Sequence, residues 1–198
     1  MSNELIHIYD VPLSDKEGIL IGRIIALWGA LEYEVFTQTL STFDVRDVKE
    51  LPKTMNNLNF IKVVELWKAR VADVAEGERA AVLQQQFARI THLQDSRNAL
   101  IHGMWGWPTA EPEKISTTGV SKAQVITMHF PAGSLADFHE ELGVINYKVG
   151  YPGGMEDLAR ERADEGGFIS RRMLCLITGN PAAYDWLHRC GVAVDKPG

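Results

Sequence analysis

Only two cysteines, Cys175 and Cys190, occur in 198 residues. That excludes a disulfide framework and makes a reducing cytoplasm the expected compartment. His188-Arg189-Cys190 and Cys175 show neither CxxC nor HxxxH spacing. They read as a surface histidine and buried thiols, and no metal or other cofactor is expected. Basic charge is also scarce, with 20 Lys and Arg against 26 Asp and Glu and a net charge of −6. A general coat for duplex DNA or a membrane-surface binder usually carries a basic face, so the charge argues against both classes, while a small local nucleic-acid site stays open. Long apolar runs are missing as well. The most apolar stretch, Ile19 to Leu31, is too short to span a bilayer and contains Arg23. Asn3-Glu4 and Asp10 interrupt any secretory h-region, so a soluble cytoplasmic protein with no membrane partner is expected. There is no P-loop, no dinucleotide glycine motif and no nucleophile elbow.

What is present is an ordinary globular composition, 45% hydrophobic and 23% charged, in a chain of single-domain length (1–198). Ser14-Asp15-Lys16-Glu17 reads as a capping box. It opens a first helix to about Leu40, with Leu20, Ile24, Leu27, Leu31 and Val35 as its apolar stripe. A second helix carries Leu58, Ile61, Val64, Trp67 and Val71, and Gly77 separates it from a third running from about Glu78 to His102. Gly103 ends that helix by the usual glycine logic at C′. Residues 15–103 thus form a three-helix core unit.

The pattern then changes period. Trp105 to Pro108, Lys114 to Thr118 and Gln124 to Phe130 read as short strands of an antiparallel meander over 104–131, in which Ile126, Met128 and Phe130 alternate with Thr127 and His129. The C-terminal helices fill 132–198. Ser134 opens a fourth helix with Leu135, Phe138, Leu142 and Ile145 facing inward, and Tyr151-Pro152-Gly153-Gly154 forms a turn. Met155 to Glu165 is a solvated helix or a mobile arm, Phe168 to Ile177 is helical, and Asn180-Pro181 caps a last helix ending at Gly191. The expected fold is mainly α, a helical bundle with a small antiparallel β meander inserted after the third helix.

Within the third helix the apolar positions Leu83, Phe87 and Ile90 are followed on the same stripe by Gln94 and Arg97 before Ile101 resumes it. A guanidinium rising from an apolar patch is costly unless something pairs with it. Five residues on stands His102. The run Arg97-Asn98-x-x-x-His102, closing the third helix of a bundle, resembles the HEPN superfamily (higher eukaryotes and prokaryotes nucleotide-binding). Its nuclease members carry an Arg, four to six residues and then a His, often with a polar residue directly after the Arg. The resemblance covers roughly residues 15–103, with Ser134 to Val149 as a fourth bundle helix, and the meander is a departure from the plain all-α bundle.

The resemblance implies a metal-independent endoribonuclease, or an RNA-binding relative, that works as a homodimer in which the motifs of two subunits meet. It also implies toxin or defence roles, with an antitoxin as partner. In that reading His102 is the acid/base, Arg97 the phosphate clamp and Asn98 the orienter. The local chemistry suits RNA cleavage by its own 2′-hydroxyl, which needs a proton shuttle near neutral pH and a cation for the phosphorane. Helical geometry adds a constraint. Five residues place Arg97 and His102 roughly 140° apart on one helix, whereas Asn98 and His102 lie within roughly 40°. A second subunit, or fraying at Gly103, would bring Arg and His together.

Glu32, with Trp28, Val35 and Phe36 as helical neighbours, is another ion in an apolar setting and is assigned as the orienting partner of Arg97. A buried structural ion pair fits Glu32 and Arg97 equally well. Trp105 and Trp107 read as an aromatic strand packed on the bundle, with base stacking as the alternative. Arg160, Arg162, Arg171 and Arg172 are interleaved with acids and read as a solvated face. From a different class comes the competing function: a non-catalytic dimerising interaction module in which Arg97 and His102 are structural, a capping His and an ion-paired Arg.

Overall fold

The computed structural model describes residues 13–43 and 51–158, apart from 109, 112, 113, 122 and 156, together with 168–169 and 193–194. It is mainly helical with a small antiparallel sheet. The helices are α1 (Asp15–Ser41), α2 (Phe60–Trp67), α3 (Gly77–His102) and α4 (Ser134–Gly150). The meander consists of β1 (Met104–Gly106), β2 (Ile115–Ser121) and β3 (Gln124–Phe130), in the order β1-β2-β3.

The capping box forms as expected. The Ser14 backbone N–H and hydroxyl both donate to Glu17 Oε2 at 2.7 Å, and the Glu17 N–H returns to Ser14 Oγ at 3.3 Å. The buried stripe of α1 is rotated by one residue at two positions. Ile21 and Trp28 are buried beside Ile24, Leu31 and Val35, while Leu20 and Leu27 are only half-buried. The second helix starts later than its apolar pattern suggests, because Asn59 caps it by accepting from the Lys62 N–H at 3.1 Å, which leaves Leu58 outside. It then widens into a π-helical turn over Lys68–Ala72.

Chain contacts divide the protein into two compact units, Met1–Ala30 with Arg89–Gly143, and Leu31–Ala88 with Val144–Gly198. In the first, buried Ile24 and Trp28 of α1, Ile90, Leu93 and Leu100 of α3, Ile115 and Phe130 of the sheet, and Phe138 and Leu142 of α4 make the core. An Arg89–Glu141 ion pair at 3.1 Å ties α3 to α4 there. In the second, Leu31, Val35, Val64, Trp67, Ile145 and Val149 are buried. Gln38 joins three helices of that unit: its amide N–H groups donate to Glu34 Oε1 (2.7 Å) and the Val149 carbonyl (2.9 Å), and its oxygen accepts from Trp67 Nε1 (2.8 Å). Arg70 in the π-turn donates to the Thr42 hydroxyl and carbonyl and lies 3.8 Å over the Phe43 ring, so it pins the end of α1.

Cross-strand partners share a face of the sheet. Trp105, Thr117 and Met128 align on one face with Ile115 and Phe130; Met104, Thr118 and Thr127 align on the other. The expected alternation of β3 is present, but burial fades along it, from Phe130 (buried) through Met128 (half-buried) to Ile126 (exposed).

The C-terminal region departs from expectation. Phe168–Ile169 is a strand that pairs parallel with Ala193–Val194, not the start of a helix. Gly166-Gly167 disfavours helix immediately before it, and Phe and Ile are strand formers. The rest of the expected 168–177 helix and the 180–191 helix lie outside the described residues. So does most of 155–165, of which Met155, Asp157 and Leu158 are helical.

Candidate functional site at the end of the third helix

The last two turns of α3 carry the motif. Arg97 is half-buried, with its guanidinium carbon 5.7 Å from the centre of the Trp28 ring. An indole face is a favourable seat for a guanidinium held partly away from water. Arg97 Nη1 donates to Asn98 Oδ1 at 3.2 Å, and Gln94 Nε2 approaches the same oxygen at 3.5 Å. Asn98 is therefore drawn to Arg97 and Gln94. No hydrogen bond joins it to His102 among the described residues, although the four-residue spacing favours that pair. His102, the basic residue of the last turn, is exposed to solvent.

Gly103 is required for a reason other than the one its position suggests. Its φ is not in the left-handed region, so the C′ argument does not apply. A Cβ at this position would instead stand 2.5 Å from the Cβ of Thr117 and 2.6 Å from the Ala99 carbonyl oxygen. Only glycine lets the end of α3 close onto β2, and β1 begins at the next residue. The sheet that departs from an all-α bundle is thus what holds the motif's C-terminal end.

Trp105 packs as an aromatic strand residue, with its ring 5.5 Å from that of Phe130. Trp107, two residues on, is 46% exposed. Glu32 is half-buried on α1; it falls in the second unit and Arg97 in the first. Gln94 stood out in the sequence as a polar position on the apolar stripe, and its four-residue spacing from Asn98 is the clue to its partner. Trp28 gave no such signal.

The arrangement offers a guanidinium aligned by an amide and a ring, and an exposed imidazole one turn further along. A guanidinium grips phosphate or carboxylate oxygens in pairs, and an imidazole exchanges a proton near neutral pH. Among the described residues no three His, Cys, Asp or Glu side chains gather as metal ligands, and no helix is long and apolar enough to cross a membrane. Fold and site together define a mainly α protein with an Arg-Asn-His helix end backed by a three-stranded sheet. No protein-family model matches the chain, and neither a curated protein nor a solved structure matches it.

Proposed function

We propose that this protein binds RNA and cleaves it without a metal at Arg97, Asn98 and His102, in the manner its resemblance to HEPN nucleases implies. The observation that carries the reading is the half-buried Arg97 over Trp28, aligned by Asn98, with His102 exposed at the same helix end. Neutral His102 takes the proton of a 2′-hydroxyl, and O2′ attacks the adjacent phosphorus. With the motifs of two subunits meeting in one cleft, Arg97 offsets the charge on the nonbridging oxygens. The 5′-oxygen leaves with a proton from water, and the product ends are a 2′,3′-cyclic phosphate and a 5′-hydroxyl. A homodimer, a cytoplasmic setting and a toxin or defence role with an antitoxin partner belong to the same proposal.

The test incubates wild type, Arg97→Ala and His102→Ala with total RNA and tRNA in EDTA, after matched melting curves. Cleavage by wild type with cyclic ends, slowed about 100-fold or more in His102→Ala, is the expected result. Equal traces from all three proteins would overturn it. The engagement of Arg97 by Trp28 and Asn98 favours a second reading, a non-catalytic interaction module with a structural arginine. In that case Arg97→Ala lowers the melting temperature and no variant changes RNA.

A further inference from the structure

Gln94 stands on α3 at a position that its neighbours reserve for apolar side chains. Leu83, Phe87 and Ile90 precede it on the stripe, and Ile101 resumes it. Its Oε1 is buried and meets no hydrogen-bond donor among the described residues. A buried amide oxygen without a donor costs stability, and an apolar side chain of similar length would avoid that cost. Something other than stability therefore calls for an amide here.

The hydrogen bonds show what the amide does. A guanidinium N–H can only donate, so Arg97 Nη1, at 3.2 Å, faces the oxygen of the Asn98 amide and not its nitrogen. Gln94 Nε2 approaches that same oxygen at 3.5 Å from one helical turn back. The orientation propagates along the helix. Arg97 turns the Asn98 oxygen inward, that oxygen draws the Gln94 N–H2, and the Gln94 oxygen is left on the side without a donor. The other end of the Asn98 amide, Nδ2, donates to no described residue. Asn98 is half-buried, yet Nδ2 itself is not closed off from solvent.

We propose that Gln94 is a positioning residue: it holds the Asn98 amide oxygen-inward, so that Asn98 Nδ2 joins Arg97 in donating to the nonbridging oxygens of a phosphodiester. A guanidinium and an amide N–H2 side by side are donors only, and one of them is cationic, which suits an anion. Phosphate offers two nonbridging oxygens, one for each group. Where Arg97 swings onto phosphate its hold on the Asn98 oxygen loosens, and Gln94 alone then keeps the amide from turning. A turned amide would present its own oxygen to the phosphate and repel it. Asn98 is thus a donor to substrate and not the orienter of His102. The choice of a phosphodiester over a carboxylate rests on the RNA reading, whereas the donor arrangement does not.

The side-chain amide signals in nitrogen–proton correlation spectra of the full chain test it, with the Asn98 pair assigned by its loss in Asn98→Asp. The probe is a mixed-sequence 2′-O-methyl oligonucleotide, which keeps its phosphates and has no free 2′-hydroxyl to attack them. The control is the same oligonucleotide with uncharged methylphosphonate linkages. The charged probe should move the Asn98 pair, and the uncharged control should not. Asn98→Asp should weaken binding of the charged probe about 10-fold or more. Gln94→Met should weaken it about 5-fold, because the amide is then correctly turned only part of the time. The same variant should melt at or above the wild-type temperature, since it removes the unpaired buried oxygen.

The proposal is overturned if the probe does not bind, if it binds without moving the Asn98 pair, or if the uncharged control moves that pair equally. It is also overturned if Gln94→Met binds as tightly as wild type, or loses binding together with melting temperature. Failure of the RNA reading looks different: wild type leaves RNA intact while the Asn98 pair still answers to the charged probe.

Discussion

Among the described residues, the two compact units treat their polar groups differently. In the unit formed by Leu31–Ala88 and Val144–Gly198, half-buried polar side chains are cross-linked: Gln38 uses both ends of its amide, and Arg70 satisfies the end of α1 while stacking on Phe43. In the unit formed by Met1–Ala30 and Arg89–Gly143, Gln94 Oε1, Thr117 Oγ1 and Ser134 Oγ are buried without a hydrogen-bond partner in the protein. The same unit exposes Met104, Trp107, Val120, Val125 and Ile126, against Tyr33, Val74 and Val144 in the other. Buried polar atoms without partners and exposed apolar side chains both cost stability, and folds tolerate them where they meet something else. One unit reads as scaffold and the other, which carries the motif, as the working part of the proposed function.

The largest effect is expected at Gly103. Alanine in place of glycine, where backbone and space allow it, stabilises by about 0.4–1 kcal/mol. Here the added methyl meets the Thr117 Cβ at 2.5 Å and a backbone carbonyl at 2.6 Å, so the sign reverses. Gly103→Ala should cost about 3 kcal/mol in urea unfolding, as overpacking against backbone does. A neutral result would show that the helix end does not need to close onto β2.

Next come paired substitutions that set one unit against the other. Gln38→Ala strands the Trp67 indole N–H, on a side chain with no exposure, together with the Val149 carbonyl, and should cost about 2–3 kcal/mol. Thr117→Val removes a buried hydroxyl that makes no hydrogen bond in the protein, and should leave stability within about 1 kcal/mol of wild type. If the two cost the same, Thr117 is satisfied by ordered water and the contrast between the units fails.

Much of the fold was legible because it depends on local signals. The Ser14–Glu17 box, the strand alternation around Thr127 and the α4 start at Ser134 are written in short windows of sequence. The later start of α2 was also local, since Asn59 is a capping residue, but the apolar Leu58 beside it masked the signal. The rotation of the α1 stripe was not legible, because Leu20 and Ile21, or Leu27 and Trp28, serve equally until the packing partner is known.

At the site, the spacing Arg97-Asn98-x-x-x-His102 and the apolar setting of Arg97 were visible in one helix. What Asn98 binds was not visible, since helical angles favour His102 while the flexible Arg97 side chain reaches back to the amide oxygen. The need for glycine at 103 came from Thr117, fourteen residues away on another element, and no window of sequence carries that contact.

The smallest effect concerns alkaline pH and belongs to the scaffold unit. Tyr147 on α4 has its hydroxyl pushed above its ordinary value of 10.0, first by burial and then by the negative charge of Asp157. Asp157 is held by Arg79 Nη2 and the Gly153 N–H. A raised value means that the native state keeps the proton longer than the unfolded chain does. The associated stability is complete below pH 10 and is lost as pH rises through the folded value. Tyr147→Phe should therefore flatten the decline in urea midpoint between pH 8 and 11. Asp157→Asn should reduce that decline without abolishing it, because burial is the larger cause. Amide exchange in β2 and β3, in the other unit, should not follow the Tyr147 titration. If those strands open together with it, the two units share their stability, and the division between scaffold and working part is one of chemistry alone.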